Sequence, residues 1–276
     1  MTHFGMAVPA ALILVSLSIP SAGQTTDDTS PASNYMAPIQ TPAQLSAQSA
    51  AQRQLTPEEL ADILMARKEY REAAFSYKKL ADENPRNPVY WNKLGIALHQ
   101  QSELSGALKF YQQAVKVNPH YADAQNNIGT IWYQRKKFGK AIRAYERAIK
   151  LRSDMAVLYS NLGYAYFGEK KYQQSIASFR QALALDPQLF EHNSSRGGSF
   201  LQDRSVSDRG RFYFLLAKSF AEAGNFERSL IYLRKAKEEG FASMNDVKTD
   251  PSFSVMLKLP ETQEILAPRN PDSTLP

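Results

Sequence analysis

Few side chains in this sequence are suited to covalent or metal chemistry. Cys is absent from its 276 residues, which excludes disulfides, thiol catalysis, zinc ribbons and a lipid-anchored N-terminal Cys. The four histidines, His3, His99, His120 and His192, share no metal-ligand spacing. There is no His-Glu-x-x-His, no Gly-x-Ser-x-Gly and no dinucleotide-binding glycine fingerprint. His99 and His192 have no acid partner at helical spacing, and Glu58-Glu59 and Glu238-Glu239 read as a helix first turn and a solvated helix end. The expectation is a protein that is not an enzyme and holds no metal and no cofactor.

Charge offers different chemistry. Between residues 135 and 152 stand Arg135, Lys136, Lys137, Lys140, Arg143, Arg147, Lys150 and Arg152, opposed only by Glu146, a local net charge of +7. The whole chain carries +6, so this run holds more than the entire surplus. Lys140, Arg143, Arg147 and Lys150 recur at helical steps and share one outer face, where a phosphate- or sulfate-bearing polymer could bind. The same pattern also suits a plain solvated surface. A second candidate is the segment 190–209, which contains Gly197-Gly198 and the ionisable residues Arg196, Asp203, Arg204, Asp208 and Arg209. It reads either as an ordered loop over a binding edge or as a disordered insertion. No Gly-Lys-Ser/Thr follows its glycines, so it is not a phosphate loop.

The elements that position these residues follow from an internal repeat. Gly95, Gly129 and Gly163 close three similar phrases, Asn92-Lys93-Leu94-Gly95, Asn126-Asn127-Ile128-Gly129 and Ser160-Asn161-Leu162-Gly163, each 34 residues from the next. Units of that period run 54–87, 88–121, 122–155 and 156–189, and a fifth fits at 210–243 after the extra segment. Position 7 of each unit is aliphatic (Leu60, Leu94, Ile128, Leu162, Leu216) and position 8 is tiny (Ala61, Gly95, Gly129, Gly163, Ala217). Position 20 is again tiny (Ala73, Ala107, Ala141, Ser175, Ser229), whereas position 24 is large (Tyr77, Tyr111, Tyr145, Phe179, Leu233). The spacing predicts two short helices per unit, with tiny residues allowing close approach of their axes and the large residue filling space between neighbouring units. Pro85, Pro119 and Pro187 at position 32 end the second helices.

This set of positions resembles the tetratricopeptide repeat family over residues 54 to about 244, with departures clustered at the two ends where capping units are atypical. The resemblance implies an all-α solenoid of about five antiparallel helix pairs. It also implies a concave groove lined by first-helix positions 2, 5, 6, 9, 12 and 13. Carried onto this chain, those positions include Asn92, Lys93, Asn126, Asn127, Thr130, Tyr133, Asn161, Tyr164, Phe167 and Lys218. A row of Asn, each both donor and acceptor, could pair with the backbone of an extended peptide, with Tyr133, Tyr164 and Phe167 as apolar walls. Asn in this place is equally able to bridge helices. The Lys/Arg set with which some members of the family clamp a terminal carboxylate is missing apart from Lys93.

Outside the array, the apolar run from Ala7 to Ile19 is 13 residues long, short of the roughly 20 that a bilayer span requires. Small residues follow Pro20, so residues 1–23 read as an export signal, and the Ser-, Thr-, Ala-, Gln- and Pro-rich 24–53 as a disordered linker. At the other end, 243–266 reads as one to three short capping helices and 267–276 as a disordered tail. The expected function is an exported, non-enzymatic scaffold, periplasmic or secreted, holding a peptide or protein partner in its groove. The alternative is an envelope anionic-polymer or surface-adhesion module that uses the 135–152 ridge. Nucleic acid is not expected as a partner, nor is a membrane span after signal cleavage.

Overall fold

The computed structural model describes residues 55–190 and 208–267. The segment read as an export signal, the linker 24–53, the loop residues Arg196, Asp203 and Arg204, and residues 268–276 of the tail lie outside the described residues. Within them the chain is all-helical. Its first helix of each pair is α1 (Pro57–Ala66), α3 (Pro88–Gln100), α5 (Ala122–Gln134), α7 (Ala156–Gly168) and α9 (Arg209–Glu222). Each is followed by its second helix: α2 (Tyr70–Glu83), α4 (Leu104–Val117), α6 (Phe138–Leu151), α8 (Tyr172–Leu185) and α10 (Phe226–Glu238). Consecutive helices pack against one another through the array, which gives the five-pair solenoid that the period implies.

Helix starts are written locally. Thr56 and Glu59 form a reciprocal capping box on α1, and Asn87, Asp208 and Asn225 cap α3, α9 and α10 through their side chains. Pro57 and Pro88 occupy first-turn positions whose missing N–H costs nothing. The turn inside each pair places one residue in the left-handed region: Lys68, Ser102, Lys136, Lys170 and, in the fifth pair, Gly224. Gly240, at φ +74, ends α10, with Phe241 N–H bonding back to the Ala236 carbonyl at 3.0 Å.

The reason for tiny residues at position 8 is explicit. A Cβ added at Gly95, Gly129 or Gly163 would stand 2.5 Å from the ring of Tyr111, Tyr145 or Phe179 respectively. The large residue at position 24 therefore presses first on the glycine of its own pair, and not only on the neighbouring one. These rings are fully buried. Towards the C-terminus the core becomes aromatic: Phe212 stacks on Tyr164 at 5.1 Å and meets Phe167 and Phe179 edge-on. Helix α7 is apolar nearly all round and is buried on nearly every side, as such a helix must be.

The end of the stack is closed by three single 3₁₀ turns (Met244–Lys248, Pro251–Phe253, Met256–Lys258) and a short helix α11 (Pro260–Leu266). Pro251 and Pro260 each start one of these pieces, so the cap is more finely divided than the one to three helices expected. Val247, Phe253, Met256 and Ile265 are buried beneath it.

Candidate functional site

The groove positions of successive first helices are joined by a regular row of rungs. Asn127 donates through Nδ2 to Asn92 Oδ1 at 3.0 Å, and Asn161 donates through Nδ2 to Asn126 Oδ1 at 2.9 Å. Each rung links position 6 of one pair to position 5 of the pair before, 35 residues apart. At the N-terminal end the same register is filled by charge, with Lys93 Nζ donating to Glu58 Oε1 at 3.0 Å. At the C-terminal end it stops, because the corresponding residues are Leu215 and Ser160, and the Ser160 hydroxyl instead donates to the Val157 carbonyl.

The four amides, Asn92, Asn126, Asn127 and Asn161, are at most 4% exposed. The structure therefore uses them to bridge helices, and it does not present them as an open row to a peptide backbone. Thr130 is likewise buried, donating to the Asn126 carbonyl and accepting from the Tyr145 hydroxyl. Tyr133, Tyr164 and Phe167, expected as apolar walls, are at most 7% exposed and pack among rings, Tyr133 on Phe138 at 5.4 Å and Tyr164 on Phe212. The physical reason is volume: these three rings on α5 and α7, with Phe212 on α9, pack on one another and fill the space between first helices before any ligand can. Lys218 is held by Asp250 at 2.6 Å and ties α9 to the cap, so it too is occupied within the fold.

Lys93 sits in a polar cluster that the sequence alone did not assemble. Its ammonium also contacts Asp62 at 2.8 Å, Tyr90 donates to Glu58 Oε2 at 2.8 Å, and Tyr77 donates to Asp62. Hydrogen bonds from Lys93 and Tyr90 hold the Glu58 carboxyl below its usual range. At Asp62 burial works the other way, but the bonds from Lys93 and Tyr77 prevail and its carboxyl is also lowered. With two carboxylates around it, Lys93 is not a free clamp for a terminal carboxylate. Next along the groove, His99 Nε2 lies 3.0 Å from Gln134 Oε1, and burial pushes its imidazole pKa down against that bond. Ile96 is half-buried, and Gln100 and Gln134 are exposed.

The basic run lies on α6 and in the turn before it. Lys136, Lys137, Lys140, Arg143, Arg147 and Lys150 are all exposed along the turn before α6 and on α6 itself. Glu146, the acid of the run, accepts from the Tyr166 hydroxyl at 2.9 Å. The ridge borders a furrow of about 300 Å³ between α4, α5 and α6, whose lining includes Gln125 and Trp132, two residues that no sequence signal had singled out. Among the described residues no three His, Asp or Glu converge as a metal site, and no helix is long and apolar enough to cross a membrane.

Family models described as TPR repeat and tetratricopeptide repeat match residues 97–134, 129–169 and 156–189. No curated protein matches the chain. Among solved structures it is similar to MamA from Desulfovibrio magneticus RS-1, at 17% identity and TM-score 0.49, over 70% of this chain and 96% of that one. A second MamA crystal structure gives 20% identity and TM-score 0.47, over 68% and 96%. YrrB, titled a TPR protein with an unusual peptide-binding site, gives 14% identity and TM-score 0.46, over 74% and 95%.

Proposed function

This chain belongs to the tetratricopeptide repeat family, and on that premise we propose that it works as an exported, non-enzymatic scaffold holding a peptide or protein partner on the concave face. The observation that carries this reading is the row of rungs from Glu58–Lys93 through Asn92–Asn127 to Asn126–Asn161. Hydrogen bonds in a fixed register, buried in the two Asn rungs, hold the first helices at one spacing, so the face they form is preorganised and a partner need not order it. The Asn row then acts as frame. The contacts fall to the groove side chains that the frame leaves accessible in part or in full: Ile96, His99, Gln100 and Gln134. Their mixture of aliphatic, imidazole and amide groups suits a short uncharged peptide segment, whose binding should tolerate salt.

A photo-reactive benzoylphenylalanine placed at Gln100 in the full chain, in its native host, tests this. The expected result is a discrete crosslinked partner at Gln100 and none from the same group at Phe75, which is 76% exposed on α2. Crosslinking that is equal at the two positions, or absent at Gln100, would overturn the concave face as the working surface. Export is tested separately, by N-terminal sequencing of the mature protein, where an intact Met1 would refute it.

A further inference from the structure

The furrow beside α6 lies on the second-helix side of the array, away from the first-helix groove, and its chemistry is different. Along one rim stand Lys140, Arg143 and Arg147, exposed and without an ion pair among the described residues. They recur at i, i+3 and i+7, so they span about 10 Å of helix. Trp132 forms one wall, its ring under the Lys140 ammonium at 4.4 Å and beside the Arg135 guanidinium at 5.5 Å. Arg135 is itself held by Ser105 Oγ at 2.9 Å, which fixes it on the indole. Gln125 completes the lining at 6% exposure, and its Oε1 is buried and accepts no hydrogen bond.

Three features therefore coincide within one cavity: uncompensated cations, a half-buried indole face and a buried acceptor without a donor. An unsatisfied buried acceptor is unfavourable, so a ligand that supplies a donor is favoured beyond its charge. We propose that this furrow binds an acidic peptide segment of a partner protein. Its carboxylates would face Lys140, Arg143 and Arg147, an apolar stretch would cover Trp132, and a backbone N–H would meet the Gln125 amide once that side chain turns outward into the furrow. Three to four extended residues cover the 10 Å rim at about 3.3 Å each, which matches the furrow's size. A polyphosphate would satisfy the rim but would offer the Gln125 acceptor no donor and the indole wall no apolar face. This site stands independently of the concave-face reading.

The full chain carrying Trp91→Phe leaves Trp132 as its one tryptophan, so the furrow reports by its own fluorescence. Titration with a capped oligoglutamate peptide should change Trp132 emission saturably, and a capped oligoglutamine peptide should not. Combining Arg143→Glu with Arg147→Glu should weaken the oligoglutamate about tenfold or more, with circular dichroism unchanged. Gln125→Leu should weaken it several-fold while keeping its salt dependence. A flat response to oligoglutamate would overturn the proposal. So would tighter binding of a heparin-derived oligosaccharide with no effect of Gln125→Leu, since that pattern marks a surface read by charge alone.

Discussion

At the scale of single residues, the rungs between first helices make the sharpest prediction. Asn127→Leu strands the buried Asn92 Oδ1 and should lower stability by about 1–3 kcal/mol, whereas adding Asn92→Leu removes the stranded group and should restore part of the loss. Urea denaturation of the four members of this cycle measures the coupling, and strict additivity would show that the 3.0 Å contact contributes nothing. The Asn phrases were legible in the sequence from their period, but their partners were not. A period of 34 brings like positions together, whereas the rung joins position 6 to position 5 one repeat back. His99 gives a second prediction. Burial lowers its folded pKa, so the folded state favours the neutral ring. Its contribution is present above the ordinary histidine value of about 6.5 and is lost as pH falls below it, because the unfolded chain then binds the proton more readily. An NMR titration of His99 should place its midpoint below about 6.5. A midpoint at or above that value would contradict the burial seen here.

At the scale of elements, the turns inside each helix pair show what composition conceals. Position 15 is left-handed in every pair, yet only the fifth supplies Gly there, and Lys68, Ser102, Lys136 and Lys170 carry the conformation without its freedom. Nothing about Lys or Ser announces a positive φ, so the helix lengths could be read from the sequence and the turn geometry could not. Ser102→Gly should therefore raise stability by about 0.5–1 kcal/mol, and Gly224→Ala should lower it by about 1 kcal/mol. Thermal melts showing the opposite signs would refute the assignment. The cap obeys a different control. Lys218 and Asp250 are each 17% exposed, and although burial opposes it, the Lys218 hydrogen bond with those from Ser252 lowers the Asp250 carboxyl. A lowered carboxyl stabilises the fold fully above the ordinary aspartate value of about 3.9, and that contribution disappears as pH falls through the folded value. Wild type should thus be more stable than Asp250→Asn at neutral pH, with the gap narrowing below about pH 4. A gap that stays constant with pH would mean that the pair does not couple the cap to α9.

At the scale of the whole array, stability is a sum over helix pairs and the interfaces between neighbours, so the two ends decide where it opens. They are not alike. The C-terminal end has Phe253, Met256 and Ile265 buried in a cap, whereas the N-terminal pair leaves Leu55 56% and Leu60 47% exposed. Leu60 and Leu94 occupy the same repeat position, but Leu94 is 2% exposed because the first pair covers it. Repeat spacing assigns the two residues the same role, and only their place in the stack separates them. Leu94→Ala should therefore lower stability by about 2–5 kcal/mol, and Leu60→Ala by no more than about 0.5 kcal/mol. Hydrogen exchange under native conditions should show the same polarity, with the strongest protection in α7, buried on nearly every side, and the weakest in α1 and α2. The partner-facing residues Ile96, His99 and Gln100 lie on α3, between those extremes, next to the pair that opens most readily. If the concave face is the working surface, an occupied groove should raise protection in α1 and α2 as well as in α3, because the Lys93 rung ties them. Protection that rises in α3 alone would mean that the first pair opens independently of the groove.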